Sequence, residues 1–556
     1  LQEALDAAVG GDIIYVAQGS YSPNTTYDFD SGLAFPLTAR SASFKIPSDV
    51  SVYGGFAGNE NPITPTVLAN RNFILNETIL EGDINDDDIY NVGADGLGTS
   101  LGNGFENPFH VVFTFDASAQ TLLDGFTITG GNANAANSNG QGGGWYNNTS
   151  IGGTSSPVGR NLRFFQNYGA EGGAIYNNGI GNVTNPTFED CVFEQNLANT
   201  FGGAIYNNGV AGEASPNLTN CLFLENVARN SGGEGGAIYN NGFNGGLSNS
   251  SITACRFERN KAGGEGGAIH NYGSSNASAG TANPTITNCL FFDNRVPFGD
   301  GGAIYNDSGI SGTTQIINCT LAENEADAQG GAVYNTESVS VVNSIFWNNT
   351  SGTGGESWHS SFGTSFVIAH SLIEEMQTAV IGTNYGGTTL NNGMIYNTDP
   401  LFTNSASGTL TLEPCSPAID AGNSASTTAV TDIEGNTRVQ GTQIDMGAHE
   451  SSTTPATPSV SVSLGSTSEN EDDGITFVFT FTASEISCND LTINFMVSGT
   501  ADFSSDYTQS GADTFLSDSG TVTIPAGLLN KKVLITPTAD MAIEPDETVV
   551  LTIQAP

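Results

Sequence analysis

The sequence predicts an all-β chain: a right-handed parallel β-helix followed by an Ig-like β-sandwich. Three observations carry this. The phrase GGAIYN stands at 172–177, 202–207, 235–240 and 301–306, with variants at 266–271 and 330–335. A second phrase, NCxFxxN in outline, recurs in step with it from 188–196 to 341–349. After residue 458 the repeats stop, and alternating runs such as ITFVFTFTA (475–483) take over.

A period of about 30 residues is the mark of a solenoid whose repeats stack on their neighbours. In TITNCLFF (285–292), Ile286 and Thr287 alternate in and out as a strand requires. Cys289 and Phe291 face in together, yet they are out of phase with Ile286, so the chain slips by one residue at Asn288. Asn tolerates left-handed dihedrals better than most residues. It therefore turns a corner, and each repeat becomes two or three short strands. Stacking at about 4.8 Å aligns the repeats into columns. Cys191, Cys221, Cys255, Cys289 and Cys319, then Ser344, form one column. Phe193, Phe223, Phe257, Phe291, Leu321 and Phe346 form the next. In GGAIYN the glycines bend the chain. The Ile column faces in, with Ala as the alternative, and the Tyr column faces out.

Composition narrows the function. Of 556 residues, 57 are acidic and 13 basic, a formal charge of −44. Nucleic acid is excluded as a partner, because its phosphates need Lys and Arg. The acidic, Lys-poor surface suits a secreted protein in a salty or calcium-containing medium. No apolar run is long enough to span a bilayer as a helix. The chain starts at Leu1 and stops in a strand-like run, and is expected to be part of a longer protein.

These phrases resemble the Pmp-like repeats of β-helix proteins, named for chlamydial polymorphic outer-membrane proteins. LQEALDAAVGGDIIYVAQGSY (1–21) resembles the start of such domains, where a short helix closes the open end. DVSVYGGFAGNE (49–60), TILEGDIND (78–86) and LDGFTITGGNA (123–133) resemble the early rungs. SPAIDAGN (416–423) and DIEGNTRVQGTQIDMGAHE (432–450) resemble the closing stretch. The resemblance implies a β-helix domain over 1–450, then a Pro/Thr linker over 451–458. The region 459–556 reads as a sandwich of about seven strands. Through SEN, SGTADFSSDYT (498–508) and TADMAIEPDETVVLTI (538–553) it resembles a Calx-β domain. That resemblance implies Ca²⁺ bound by Glu469, Asp506, Asp540, Glu544, Asp546 and Glu547. The Pmp-like resemblance implies a surface protein, and the expected location is extracellular or on the cell surface of a bacterium, Gram-negative.

Within EGDINDDDIYN (81–91), Asp83, Asn85 and Asp87 alternate as D-x-N-x-D and are candidate ligands of a hard cation. The five stacked cysteines are expected to be reduced, buried fillers. Cys415 and Cys488 fall in different expected domains and are expected to be free. The five histidines show no ligand spacing, and His270 simply takes a Tyr slot. Tyr176, Tyr206, Tyr239, Tyr305 and Tyr334 offer a stripe for sugar rings or a partner protein, or serve as wall ladders. Arg256, Arg259 and Lys261, with Arg229 and Arg295, read as a local counter-charge patch. No phrase marks a catalytic set, so the chain is not expected to be an enzyme and no catalytic residue is assigned. The expected function is a structural or adhesive surface protein whose partners are other surface proteins or glycans. The alternatives are a polysaccharide-binding or polysaccharide-degrading exoprotein, and a subunit of an extracellular fibre or surface layer.

Overall fold

A computed structural model describes the chain except residues 35–37, 92, 94–96, 98, 274–279, 308–311, 362–363, 377–387, 404–407, 453–457, 467, 469–473, 540–544 and 555–556. It forms two units, Leu1–Thr411 with Pro417–Glu450, and Leu412–Ser416 with Ser451–Pro556.

The first unit is a parallel β-helix. A typical rung has four strands, Thr187–Glu189, Val192–Glu194, Leu197–Phe201 and Ile205–Asn208. Each pairs in parallel with its counterpart one rung on. Among the described residues the four resulting sheets hold 12, 12, 8 and 10 strands. The sequence predicts two or three strands per rung, because only one non-glycine corner is legible in it. That corner is Asn161, Asp190, Asn220, Ala254, Asn288, Asn318 and Asn343, all with φ between 50° and 56°. A second left-handed corner follows at Gln166, Gln195, Glu225, Arg259, Asp293, Glu323 and Asn348. Its mixed residue types carry no turn signal, so it is visible only in the structure.

Between the two corners the Cys and Phe columns point into the core, as expected. Cys191, Cys221, Cys255, Cys289 and Cys319 are free and buried. Each thiol lies against the carbonyl two residues back, as Cys255 does against Thr253 O at 3.3 Å. Ser344 continues the column by accepting the Cys319 N–H at 3.1 Å. Burial pushes the Cys221 and Cys289 thiols up, away from the reactive thiolate. The Phe rings from Phe164 to Phe291 stack face to face, 4.6–4.9 Å apart.

GGAIYN is the third corner. Its first glycine is left-handed, as at Gly235 (φ 65°). Its second must approach the next rung: a Cβ on Gly236 would lie 2.1 Å from the Gly267 carbonyl oxygen. The Ala and Ile N–H groups then share one carbonyl. Both Ala204 and Ile205 donate to Ala237 O, at 2.9 and 2.8 Å. This bulge turns both side chains inward, so the Ala and Ile columns lie in the core together. The Asn of the phrase is buried as well, Asn177 donating to Asn207 at 2.7 Å.

Helix Gln2–Ala7 places Leu5 in the main core at the start of the solenoid. The stretch 417–450 runs along the side of the later rungs. Ile433 and Ala448 pack on Leu290, Phe292 and Ala322. The corner asparagines hold it: Asn288 donates to Thr431 O at 2.6 Å, and Asn343 to Asn423 O at 3.2 Å. Arg438, 1% exposed, donates to Ala448 O and Asp445 O at 3.2 Å and faces Glu450 at 3.8 Å.

Among the described residues the second unit is a sandwich of two four-stranded antiparallel sheets. Leu491–Gly499 alternates buried and exposed residues, with Ile493, Phe495 and Val497 inside. Leu412–Ser416, placed in the first domain by the sequence, belongs to this unit. That segment brings the Cys415 Cα within 4.9 Å of the Cys488 Cα, and the two form a disulfide. The expectation that both are free is thus corrected: the separation lies inside the range a disulfide bridges. The bridge closes a span of 73 residues, a constraint of roughly 4 kcal/mol in the chain-entropy treatment. Alkylation under native conditions is expected to label none of the seven cysteines, and after mild reduction only Cys415 and Cys488. Mass spectrometry of peptides checks this. Native labelling of Cys221 or Cys255 would contradict the closed ladder.

Candidate functional site

Residues 82–108 leave the rungs between strands Thr78–Glu81 and Val112–Phe115. They carry an antiparallel hairpin, Ile89–Asn91 with Ser100–Gly102. At its base Asp83, Asp87, Asp88 and Glu106 bring one carboxylate oxygen each within 4.8 Å of one another. The Asp83 carboxylate makes the turn, accepting the N–H groups of Asp87 at 3.2 Å and Asp88 at 3.0 Å. Asn107 donates to the second oxygen of Asp88 at 2.7 Å. Asp88 Oδ1 and Glu106 Oε1 are buried without a hydrogen-bond partner.

Of the predicted ligands, Asp83 and Asp87 meet here and Asn85 does not. Asn85 is exposed at the outer side of the turn, because Asp83 draws the chain back through Asp87 and Asp88. Asp88 and Glu106 complete the cluster. Glu106 is brought in by the hairpin, and nothing in its local sequence signals this. The groups suffer for their proximity. Burial, with Asp83, Glu106 and Asp87, pushes Asp88 up to about 6. Burial, with Asp83, Asp86 and Asp88, pushes Glu81 up to about 7. An all-oxygen set of this charge suits a hard divalent cation, Ca²⁺ above all.

A pH dependence follows. Glu234, Glu265 and Glu450 are also pushed up to about 7, each chiefly by burial. Unfolded carboxyls titrate near 4. Between about pH 4 and 7 these five carboxyls hold protons in the folded chain that the unfolded chain releases, so they lower stability as pH rises. His110 and His270, pushed down to about 3 by burial, act in the opposite sense below about pH 6.5 and are outnumbered. Carboxylates held down, such as Glu225 by Gln195 and Arg259, contribute stability that is lost only below this window. In chelator at constant ionic strength, Tm is expected to be higher at pH 5 than at pH 7.5. Calorimetry checks this, and a Tm that rises with pH would contradict it.

The hairpin overhangs the second sheet. Tyr90 lines two adjoining cavities, of about 460 and 340 Å³. The larger is flanked by Arg259, Lys261 and Arg295, the smaller by Glu81, Asp83 and Asp88. Glu225 and Asp293 also line the larger cavity and Arg163 the smaller, so the larger carries mixed charge and the smaller is chiefly acidic. The arginines are engaged along the stack: Arg259 meets Glu225 at 3.2 Å and Arg295 meets Glu325. Arg229 props the hairpin, donating to Thr99 O at 3.3 Å and Tyr168 Oη at 3.2 Å.

The tyrosine column leaves the main core but is not an open stripe. Tyr176, Tyr206 and Tyr239 are buried, in a cluster with Tyr27, Phe29 and Phe113. Phe201 covers Tyr206 and Tyr239 at 6.0 and 4.7 Å. Successive rings stand 4.9 and 5.1 Å apart. The Tyr176 and Tyr206 hydroxyls accept from Asn208 and Asn241. These three rings therefore present no face for a sugar, which corrects the expectation for them. Tyr305 and Tyr334 are half-buried.

In the second unit the Asp506 carboxylate accepts the Asp502 N–H and contacts Glu547. The Asp502 N–H, followed by Ser505, holds Asp506 below its usual range. Asp546 and Glu547 are exposed. Glu469, Asp540 and Glu544 lie outside the described residues.

The chain carries repeats that match the Chlamydia polymorphic membrane protein (Chlamydia_PMP) repeat, at 190–208, 220–241 and 254–272. No curated protein matches the chain. One similar solved structure is the tailspike protein gp49 from Acinetobacter baumannii bacteriophage Fri1, a capsular polysaccharide depolymerase. It is 10% identical, over 92% of this chain and 81% of that chain, with a TM-score of 0.28. That protein is an enzyme, and the expectation of a non-enzyme is withdrawn on this finding. A likeness at this level assigns no activity to any residue here. No helix among the described residues is long and apolar enough to cross a membrane.

Proposed function

We propose that this chain is a secreted or cell-surface display protein, a rigid β-helix joined to a calcium-stiffened Calx-β module. The observation that carries the reading is where the repeated residues go. The Cys, Phe and Ile columns, the Asn of GGAIYN and the Gly corners are all consumed in stacking. Variable chemistry is left to the excursions, above all the hairpin over 82–108. The Pmp-like repeats support a surface location, and so does the Cys415–Cys488 disulfide, which suits an oxidising compartment.

Calcium enters this reading at two places. By its resemblance to a Calx-β domain, the second unit takes Ca²⁺ through Asp506, Asp546 and Glu547 together with Glu469, Asp540 and Glu544. Asp83, Asp87, Asp88 and Glu106 hold a second ion that pins the hairpin base. Ca²⁺ is expected to raise Tm and to slow proteolysis within 82–108. Glu106→Gln is expected to remove the protease protection while leaving the response of the second unit. If Ca²⁺ changes neither Tm nor cleavage, the calcium part falls. If antibody fails to reach the protein on intact cells of its source, the surface part falls.

A second reading is polysaccharide binding or cleavage in the groove, favoured by Tyr90 set between a cavity of mixed charge and a chiefly acidic one. A glycan array, with reducing-sugar and unsaturated-product assays, separates binding, hydrolysis and elimination. Silence in all three removes it.

A further inference from the structure

His270 interrupts the tyrosine column. It lies between Tyr239 and Tyr305, with ring centroids 4.9 and 4.8 Å away. On earlier rungs the tyrosine reaches outward to an asparagine one rung on, as Tyr206 does to Asn241. An imidazole is too short to do so. His270 is 2% exposed, and neither ring nitrogen has a hydrogen-bond partner. Its Nδ1 instead faces two carboxylates, 3.5 Å from Glu234 Oε2 and 3.8 Å from Glu265 Oε2. The two glutamates are bridged neighbours on successive rungs, just ahead of the GGA corner.

This combination is costly as it stands. A buried imidazole without partners loses its hydration, and two neighbouring half-buried carboxylates repel. Buried polar groups left unpaired in a native fold call for a water or an ion. The three donor atoms already lie within 4.8 Å of one another.

We propose that His270, Glu234 and Glu265 bind a divalent first-row transition metal, Zn²⁺ foremost. One imidazole nitrogen with two carboxylate oxygens is a borderline donor set that suits Zn²⁺, whereas Ca²⁺ and Mg²⁺ take oxygen throughout. Zinc bonds of about 2.0–2.1 Å in tetrahedral array place donors about 3.3–3.4 Å apart. The observed 3.5 and 3.8 Å separations reach this by small side-chain movements. Two carboxylates balance the ion's charge. The Glu234 and Glu265 side chains are 25% and 34% exposed, so the fourth position opens to solvent and takes water or an oxygen ligand.

The repeat itself supplies the test, because His270→Tyr installs the residue of the neighbouring rungs. The full chain is stripped with chelator and titrated with Zn²⁺ by calorimetry and with Co²⁺ by visible absorption. The wild type is expected to bind one equivalent of Zn²⁺ more than His270→Tyr. It should also show Co²⁺ ligand-field bands that the variant lacks. Affinity at this position should fall at least about 100-fold, while the metal-free Tm stays within a few degrees. Glu265→Gln should lose the same equivalent, which keeps the test decisive if His270→Tyr misfolds. Ca²⁺ binding should be equal in all three proteins. Equal Zn²⁺ stoichiometry and equal Co²⁺ spectra in wild type and variants, or no Zn²⁺ binding by the wild type, would overturn the proposal.

Discussion

Gly236→Ala is expected to destabilise the β-helix by about 3 kcal/mol or more. The added Cβ would sit 2.1 Å from Gly267 O and 2.7 Å from Lys261 N and C. All three are backbone atoms in a hydrogen-bonded stack, so neither neighbour can swing aside. The rungs must part, and the shared bond from Ala237 and Ile238 to Ala268 O is strained with them. Gly232→Ala, four residues earlier, is the matched control. A Cβ there meets nothing within 4 Å, and the change should lie within about 0.5 kcal/mol of neutral. Denaturation midpoints of the two variants check the contrast. Equal midpoints would mean that rung spacing is not limited at this corner.

The second large effect is expected at Asn226→Ala, about 3–5 kcal/mol. Asn226 is fully buried. Its Nδ2 donates to Phe193 O at 2.8 Å and to Asn260 Oδ1 at 3.0 Å. Its Oδ1 accepts the Asn196 N–H and the Asn196 Nδ2, both at 3.0 Å. Alanine strands the Asn196 N–H and the Phe193 carbonyl, both buried. Asn217→Ala, on the exposed face of its strand, should change stability by less than about 0.5 kcal/mol. Thermal and denaturant melts of the pair check this. A loss below about 1 kcal/mol at Asn226 would mean that the asparagine ladder is not what holds successive rungs in register.

The solenoid was legible because its rules are local and repeated. The one-residue slip at Asn288, the inward Cys and Phe columns and the Gly corner each recur on several rungs, so chance agreement is small. The corner at Gln195, Glu225 and Arg259 was not legible, since neighbouring rungs impose its left-handed dihedrals on residues with no preference for them. The inward turn of both Ala and Ile was half legible. Simple alternation admits only one of them, and the shared carbonyl that admits both belongs to the next rung.

The site residues divide along the same line. Asp83 and Asp87 were visible as alternating carboxylates on one loop. Glu106 was not, because a hairpin brings it to them. The Tyr column was correctly set outside the main core, but its exposure depended on Phe201 and on Tyr27 and Phe29 from a distant excursion. Cys415 and Cys488 look unconnected along the chain because their partnership rests on the short segment Leu412–Ser416, which belongs to the second unit.

Spacing along the chain is enough to establish the repeat, its period and its inner columns. Those follow from the strand's two-residue alternation and from dihedral preferences carried by single residues. Packing in space alone establishes which outer groups are covered and which distant carboxylates converge. It also leaves His270 facing Glu234 and Glu265 without a hydrogen-bond partner. Burial and electrostatics depend on distances between segments, and no local preference encodes those distances.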